Sequence, residues 1–336
     1  MNKLTQTLLA FSFLATLNCV WAEDDAPSGA MPDIAAAQAW LDQGYLPRHA
    51  SLTQAADQLA SSAAALCTQP DAAKLTQTRT AWLAASTAWR SLDGAPAGPM
   101  VLARLGRKID FRPIRLPELN SAIAGGEGNV AAQGLAAAEY LLWGDGVASS
   151  SPAAILASLK TPARCDYLAK ISRQIATETH TLDEGWRIYR AELGAENPFF
   201  RQNMYSEHVN LMLASLTGLL KRMPTADEVN ADQFVEWRSG SEKAQFLAQF
   251  AGFAQAIEGI NLQLEKDGEA ALAKAMRADI AQARSLCGAL PTSLAKASGK
   301  ARSACYKAVQ QSKARLQNQI AEKLDLSLGF TEGDGD

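Results

Sequence analysis

Histidine is scarce in this sequence: His49, His180 and His208 are the only three in 336 residues. None belongs to a His-Glu-x-x-His run, which excludes the common helical zinc-peptidase signature. No Gly-x-Ser-x-Gly segment occurs, so a hydrolase nucleophile elbow is excluded too. The five cysteines include no Cys-x-x-Cys pair, which removes a dithiol redox motif and a cysteine-based zinc site. β-Branched residues are sparse, and no run alternates apolar and polar with period two, so a sheet is not expected. No basic stripe with interleaved aromatics is present, and acidic residues outnumber basic ones 35 to 32, which disfavours a nucleic-acid partner.

What is present is alanine-rich and helical, with 48% hydrophobic and 20% charged residues, the balance of an ordinary globular chain. Residues 1–22 read as a secretory signal: Lys3 supplies the charged start, Leu8 to Leu17 the apolar centre, and Val20-Trp21-Ala22 the cleavage site. That apolar run is too short to cross a bilayer, and no other segment is long and apolar enough, so the mature chain is not expected to span a membrane. Without Lys3 the balance is 31 basic residues against 35 acidic, a net charge of −4. The implied destination is the periplasm. Four cysteines remain there, Cys67, Cys165, Cys287 and Cys305, an even number that suggests disulfides. Three pairings are open; Cys67–Cys165 with Cys287–Cys305 is preferred because each bridge stays within one half of the chain.

Residues 23–32 are small and acidic and read as a flexible leader, and 327–336 as a frayed, glycine- and acid-rich tail. Between them the apolar spacing predicts helices over about 32–45, 49–67 and 71–92, the last with a Leu75, Trp82, Trp89 seam. Ser149 to Pro152 reads as a linker. A helix of about eight turns follows Thr161-Pro162, with a stripe from Leu168 to Leu193. Gly194 to Pro198 then breaks the chain into two expected helical-bundle domains, 33–194 and 198–326. In the second, His208 points to the apolar face of its helix. Residues 225–240 read as a short connector, and Phe246, Phe250, Phe253 and Ile257 head the stripe of the next helix, where Gly252 and Gly259 permit close helix approach.

The stretch that organises the rest is Gln133-Gly-Leu-Ala-Ala-Ala-Glu-Tyr-Leu-Leu-Trp-Gly-Asp145. Leu135, Ala138 and Leu142 share one helical face and Glu139 lies at its edge, where a carboxylate needs a partner or a ligand. Upstream, Ile109-Asp-Phe-Arg-Pro-Ile-Arg115 forms a non-helical corner, read as a solvated loop with exposed charge. Its Arg112 and Arg115 are candidate partners for Glu139.

This stretch resembles the signature helix of the imelysin-like family of bacterial envelope proteins (the peptidase M75 class), whose motif is Gly-x-His-x-x-Glu followed by Tyr-Leu-Leu and a glycine. Gly134, Glu139, Tyr140, Leu141, Leu142 and Gly144 match; the histidine position is Ala136. Trp82, Trp89, the Gly98-Pro99 turn and the Asp-Phe-x-Pro-x-Arg corner extend the resemblance, which covers most of residues 33–325. It implies an all-α fold of two helical bundles and a role in iron acquisition. It points to Gly134 and Glu139 as candidate ligand-binding residues, with Glu139 as metal carboxylate; the residue reading adds Arg112 and Arg115 from the corner and His208, inward-facing on its helix, as the histidine best placed to replace the missing one. An alanine methyl ligates nothing, so iron or zinc binding is weakened. The expected function is a non-catalytic periplasmic accessory to iron or other metal uptake, binding a metal ion or an envelope uptake protein. The alternatives are a metal-dependent peptidase of the imelysin class and a partner-binding envelope scaffold.

Overall fold

The computed structural model describes residues 30–147 and 150–329. The expected signal segment, most of the leader, residues 148–149 and the tail beyond 329 lie outside the described residues. Among the described residues there is no strand. Helix α1 spans Ile34–Gly44, α2 Leu46–Thr68 and α3 Ala72–Asp93. Three short helices follow, α4 Pro99–Leu102, α5 Leu105–Ile109 and α6 Leu116–Ile123, then α7 Gly134–Trp143, α8 Pro152–Leu159 and the long α9 Pro162–Leu193. The second half holds α10 Phe199–Gln202, α11 Met204–Lys221, α12 Glu242–Lys266, α13 Ala270–Gly288, α14 Gly299–Arg315 and, after a π turn, α15 Ala321–Lys323. Most elements the periodicity predicts are present within a residue or two. Helix α8 begins inside the stretch read as a linker, at Pro152. Ser151 is its cap, accepting from Ala154 N, and Pro152 fills its first position, so the Ser-Pro pair was a helix start.

Each predicted stripe is buried: Leu75, Trp82 and Trp89 on α3, Leu168 to Leu193 on α9, and Phe246 to Leu264 on α12. Helix α2 packs on α3 and α9, α7 lies against α3 and α9, α11 to α14 pack on one another, and α12 lies against both α3 and α1. The apolar core is one cluster that includes side chains from both halves of the chain. The disulfides are Cys67–Cys165, tying α2 to the start of α9, and Cys287–Cys305, tying α13 to α14.

The α3–α12 contact sets how the halves meet, and glycine makes it. A Cβ on Gly252 would lie 1.8 Å from the Ser91 carbonyl oxygen, and one on Gly94 would lie 2.0 Å from that of Gln249. Arg48 spans the contact, donating to the carbonyls of Gly44, Ser91 and Gly252. Gly252→Ala therefore forces two backbones apart. We expect a loss of about 3 kcal/mol, the upper end for overpacking, because the obstructing atom is backbone. Gly218→Ala in α11 is the control: a Cβ there meets nothing within 4 Å, and removing a helical glycine stabilises by about 0.5–1 kcal/mol. Urea denaturation of both variants checks the contrast; similar midpoints would contradict the packing.

Candidate functional site

Helix α7 is apolar nearly all round, and of its ten residues only Tyr140 is not fully buried. Such a helix belongs at the centre of a fold. The expectation of one buried face with Glu139 at its edge is corrected accordingly. Gly134 starts the helix with φ +73°, and a Cβ there would lie 2.3 Å from the Ile109 carbonyl oxygen. Only glycine lets the signature helix begin against the corner at 109–115. The far end is held by Arg79, whose Nε and Nη2 both donate to the Leu142 carbonyl, and Trp82 Nε1 donates to the Leu135 carbonyl.

Glu139 is 0% exposed. Its Oε2 accepts from Arg112 Nη1 at 2.9 Å; its Oε1 accepts from the Ser239 backbone N at 3.0 Å and the Ser239 hydroxyl at 2.9 Å. Arg112 Nε donates to Asp110 Oδ1 at 2.9 Å, and Arg90 Nη2 donates to Asp110 Oδ2 at 2.5 Å. Arg90 also donates to Glu236 Oε1 from Nε at 2.7 Å and Nη2 at 2.5 Å, and to Asp93 from Nη1 at 3.1 Å. The first part of the corner is thus not the solvated loop expected from its charges: the Asp110 side chain is 2% exposed and that of Arg112 19%, whereas Pro113 and Arg115 stay exposed. The segment read as a plain connector supplies Glu236 and Ser239, reaching across about 100 residues of sequence to Glu139. Glu236 sits in the left-handed region at φ +60°, a conformation that non-glycine residues keep only where contacts over-determine it.

The network's electrostatics follow from burial. Desolvation opposes the charge on Asp110, but Arg112 and Arg90 outweigh it and hold the carboxyl below its usual range. Desolvation wins at Glu236 and raises it, against the pull of the same arginines. On Arg90 and Arg112, burial is more than offset by the surrounding acids, and both guanidinium groups stay charged.

Above this network lies a cleft of about 590 Å³. Ala136 forms part of its lining, with Trp89, Phe111 and Trp237 as aromatic walls and Arg222 and Arg238 at the side of the second half. The cleft is therefore at the position of the motif's lost histidine. Arg115 is not brought there; its side chain is 65% exposed and pairs with Glu118. Nor is His208. It is fully buried in an aromatic box, its ring 4.7 Å from Trp40 and 5.1 Å from Tyr45, with Tyr189 Oη 3.4 Å from Nε2. His180 pairs with Asp57 at the surface.

A metal ion held by the motif does not fit these residues. Ala136 offers no ligand atom, and both Glu139 oxygens are taken by protein donors. Among the described residues no group of three or more His, Cys, Asp or Glu is placed to hold a metal ion. Of the network, the sequence reading had Glu139 and Arg112 and missed Arg90, Glu236 and Ser239 as partners. The charges flanking tryptophan in Glu236-Trp237-Arg238-Ser239-Gly240 were the available signal.

An all-helical fold built around a buried Gly-x-x-x-x-Glu helix, roofed by a basic and aromatic cleft, defines the class. A profile of the imelysin (peptidase M75) family matches residues 45–325, and the chain belongs to that family. An imelysin-like protein from Psychrobacter arcticum has a similar structure, with a TM-score of 0.73 and 16% identity, the match covering 90% of this chain and 99% of that one. A protein named as an iron-regulated protein A precursor, from Parabacteroides distasonis, is similar with a TM-score of 0.64 and 16% identity, over 89% of this chain and 98% of that one. No curated protein matches the sequence.

Proposed function

We propose that this chain is an exported, non-catalytic binding component that serves iron uptake in the bacterial envelope. The observation that carries the reading is that the motif carboxylate is spent on structure. Glu139 joins Arg112 and Ser239, closing the floor of a cleft built from both expected bundles, the corner and α7 on one side and residues 232–238 on the other. A metallopeptidase needs about three protein ligands and an open metal position, which this floor does not offer. The iron context rests on the family and on the name of the Parabacteroides distasonis relative. The two disulfides suit an oxidising compartment such as the periplasm. Among the described residues no helix is long and apolar enough to cross a membrane, which suits a protein released after signal cleavage.

Growth of a deletion strain under iron limitation tests the physiological role. The expected outcome is slowed growth that the wild-type chain restores and that iron supplementation removes; growth equal to the parent strain overturns it. Calorimetric titration of Zn²⁺ into wild-type and Glu139→Gln protein tests the metal part. The two are expected to give the same heats, and a Zn²⁺ site that vanishes in the variant would overturn the claim that Glu139 is structural.

A further inference from the structure

We propose that the cleft over Ala136 binds a multiply charged small anion, a polycarboxylate or phosphate, with Arg238 as the residue that recognises it. The inference deepens the proposed function and rests on the cleft being the binding site. Five arginines line the cleft against three aspartates. Most of the arginines are already engaged. Arg90 is saturated by three acids, and Arg222 Nη1 is shared between Asp93 at 3.4 Å and Gln249 at 2.8 Å.

Arg238 is different. Its guanidinium makes no ion pair and no hydrogen bond with the described residues. It lies between two aromatic rings, 4.5 Å from the centroid of Trp237 and 5.6 Å from that of Tyr140. Stacking of this kind holds the flat group by its faces and leaves its edge of N–H donors for a planar oxyanion. Two donors nearby lack acceptors altogether: Arg238 Nε and Arg112 Nη2 are buried and form no hydrogen bond. Arg112 Nη2 comes no closer than 3.6 Å to Glu236. Unsatisfied buried donors are costly, and two of them on arginines of one cleft point to an acceptor that the protein does not itself supply. A small turn of the Arg238 fork toward an anion would satisfy its Nε, and a fork bound bidentately is the common arrangement for carboxylate and phosphate. Burial works most strongly against the Arg238 charge, and Arg112 adds to it; Glu139 and Asp145 favour the charge from a distance without pairing with it, and an anion in the cleft would offset the burial directly.

The cleft volume is that of a small-molecule pocket. Its chemistry also decides what form iron could take here. A bare cation would meet the arginines and find no set of donors. Iron carried within an anionic chelate brings its own donors and presents outward carboxylates, which is what this cleft is built to meet.

The test is calorimetric titration of the mature protein with citrate, ferric citrate and inorganic phosphate at low and at moderate salt. The variants are Arg238→Gln and Arg238→Lys; Arg238 stands outside the hydrogen-bonded network, and circular dichroism confirms folding. We expect saturable binding of citrate or phosphate, weakened by salt, reduced about tenfold or more by Arg238→Gln and less by Arg238→Lys. Tighter binding of ferric citrate than of citrate assigns the ligand to a metal chelate; equal or weaker binding assigns it to the free anion. No binding of all three probes, or binding unaffected by Arg238→Gln, overturns the proposal. If anions fail to bind while the deletion strain still starves for iron, the anion site falls and the uptake role stands. Anion binding with normal iron-limited growth gives the reverse.

Discussion

Replacing Glu139 with alanine is expected to lower the stability of the protein by about 3–5 kcal/mol, the usual cost of removing one partner from a buried ion pair. Glu139 accepts three hydrogen bonds at 0% exposure. Without it, Arg112 Nη1 and the Ser239 N–H become buried donors with no acceptor, each at a cost of about 1–3 kcal/mol. The charge balance also shifts. Arg112 is paired with Asp110 and Glu139, and losing Glu139 leaves its guanidinium with one of these two acids. Glu139→Gln keeps one acceptor oxygen and is expected to cost less than alanine. Arg112→Met in the Glu139→Ala background is expected to recover part of the loss, because the stranded charge is removed along with its partner. Urea denaturation of the three variants is the measurement. An alanine variant within about 1 kcal/mol of wild type would show that the network is not structural, and Glu139 would again be a candidate for ligand chemistry.

Acidification is expected to destabilise the protein through His208. Burial, reinforced by the nearby Arg48, depresses this imidazole to about 3 in the folded state. An unfolded histidine titrates near 6.5. The unfolded chain therefore takes up a proton in a range where the folded one does not. The contribution is fully present above about pH 6.5 and is lost as the pH falls toward 3, at about 1.4 kcal/mol per pH unit. Among the described residues no carboxylate pairs with His208: Trp40, Tyr45 and Tyr189 surround it, and Arg48 repels its charge. His49 is depressed by burial and adds in the same direction. Asp110, held low by its arginines, loses its contribution further down the acid range, whereas His180, raised by Asp57, works the opposite way. The difference between wild type and His208→Phe isolates the residue. Urea midpoints of the wild type should fall more steeply between pH 6.5 and 4 than those of the variant, and parallel curves would mean that His208 is reached by water or paired.

The helices were legible because their signal is local. Leu75, Trp82 and Trp89 recur at seven, and Phe246 to Leu264 step by three and four; both stripes are buried as the spacing requires. The errors have one cause. Asp110 and Arg112 look like surface residues in a proline corner, and residues 225–240 look like a connector. Charge near proline and glycine is a loop signal only while nothing packs over it. Here residues 234–239 pack over Asp110 and Arg112, and the buried charges there are neutralised in pairs, while residues 225–233 and Arg115 stay largely exposed.

Sequence alone was enough for the all-helical class, the place of the signature helix, and the absence of the motif histidine at Ala136; among three open disulfide pairings it set only a preference, which the structure matches. These follow from residue type and near-neighbour spacing. It took the tertiary structure to show that Glu139 meets Arg112 and Ser239 rather than Arg115, that His208 lies in an aromatic box away from the cleft, and that Arg238 lines the cleft stacked on aromatic rings without an ion pair among the described residues. The physical reason is that periodicity says which way a side chain faces. It does not say which of several chemically equivalent charges, brought from as far as 100 residues away, arrives opposite it; that is set by how the glycine-mediated α3–α12 contact seats one half against the other.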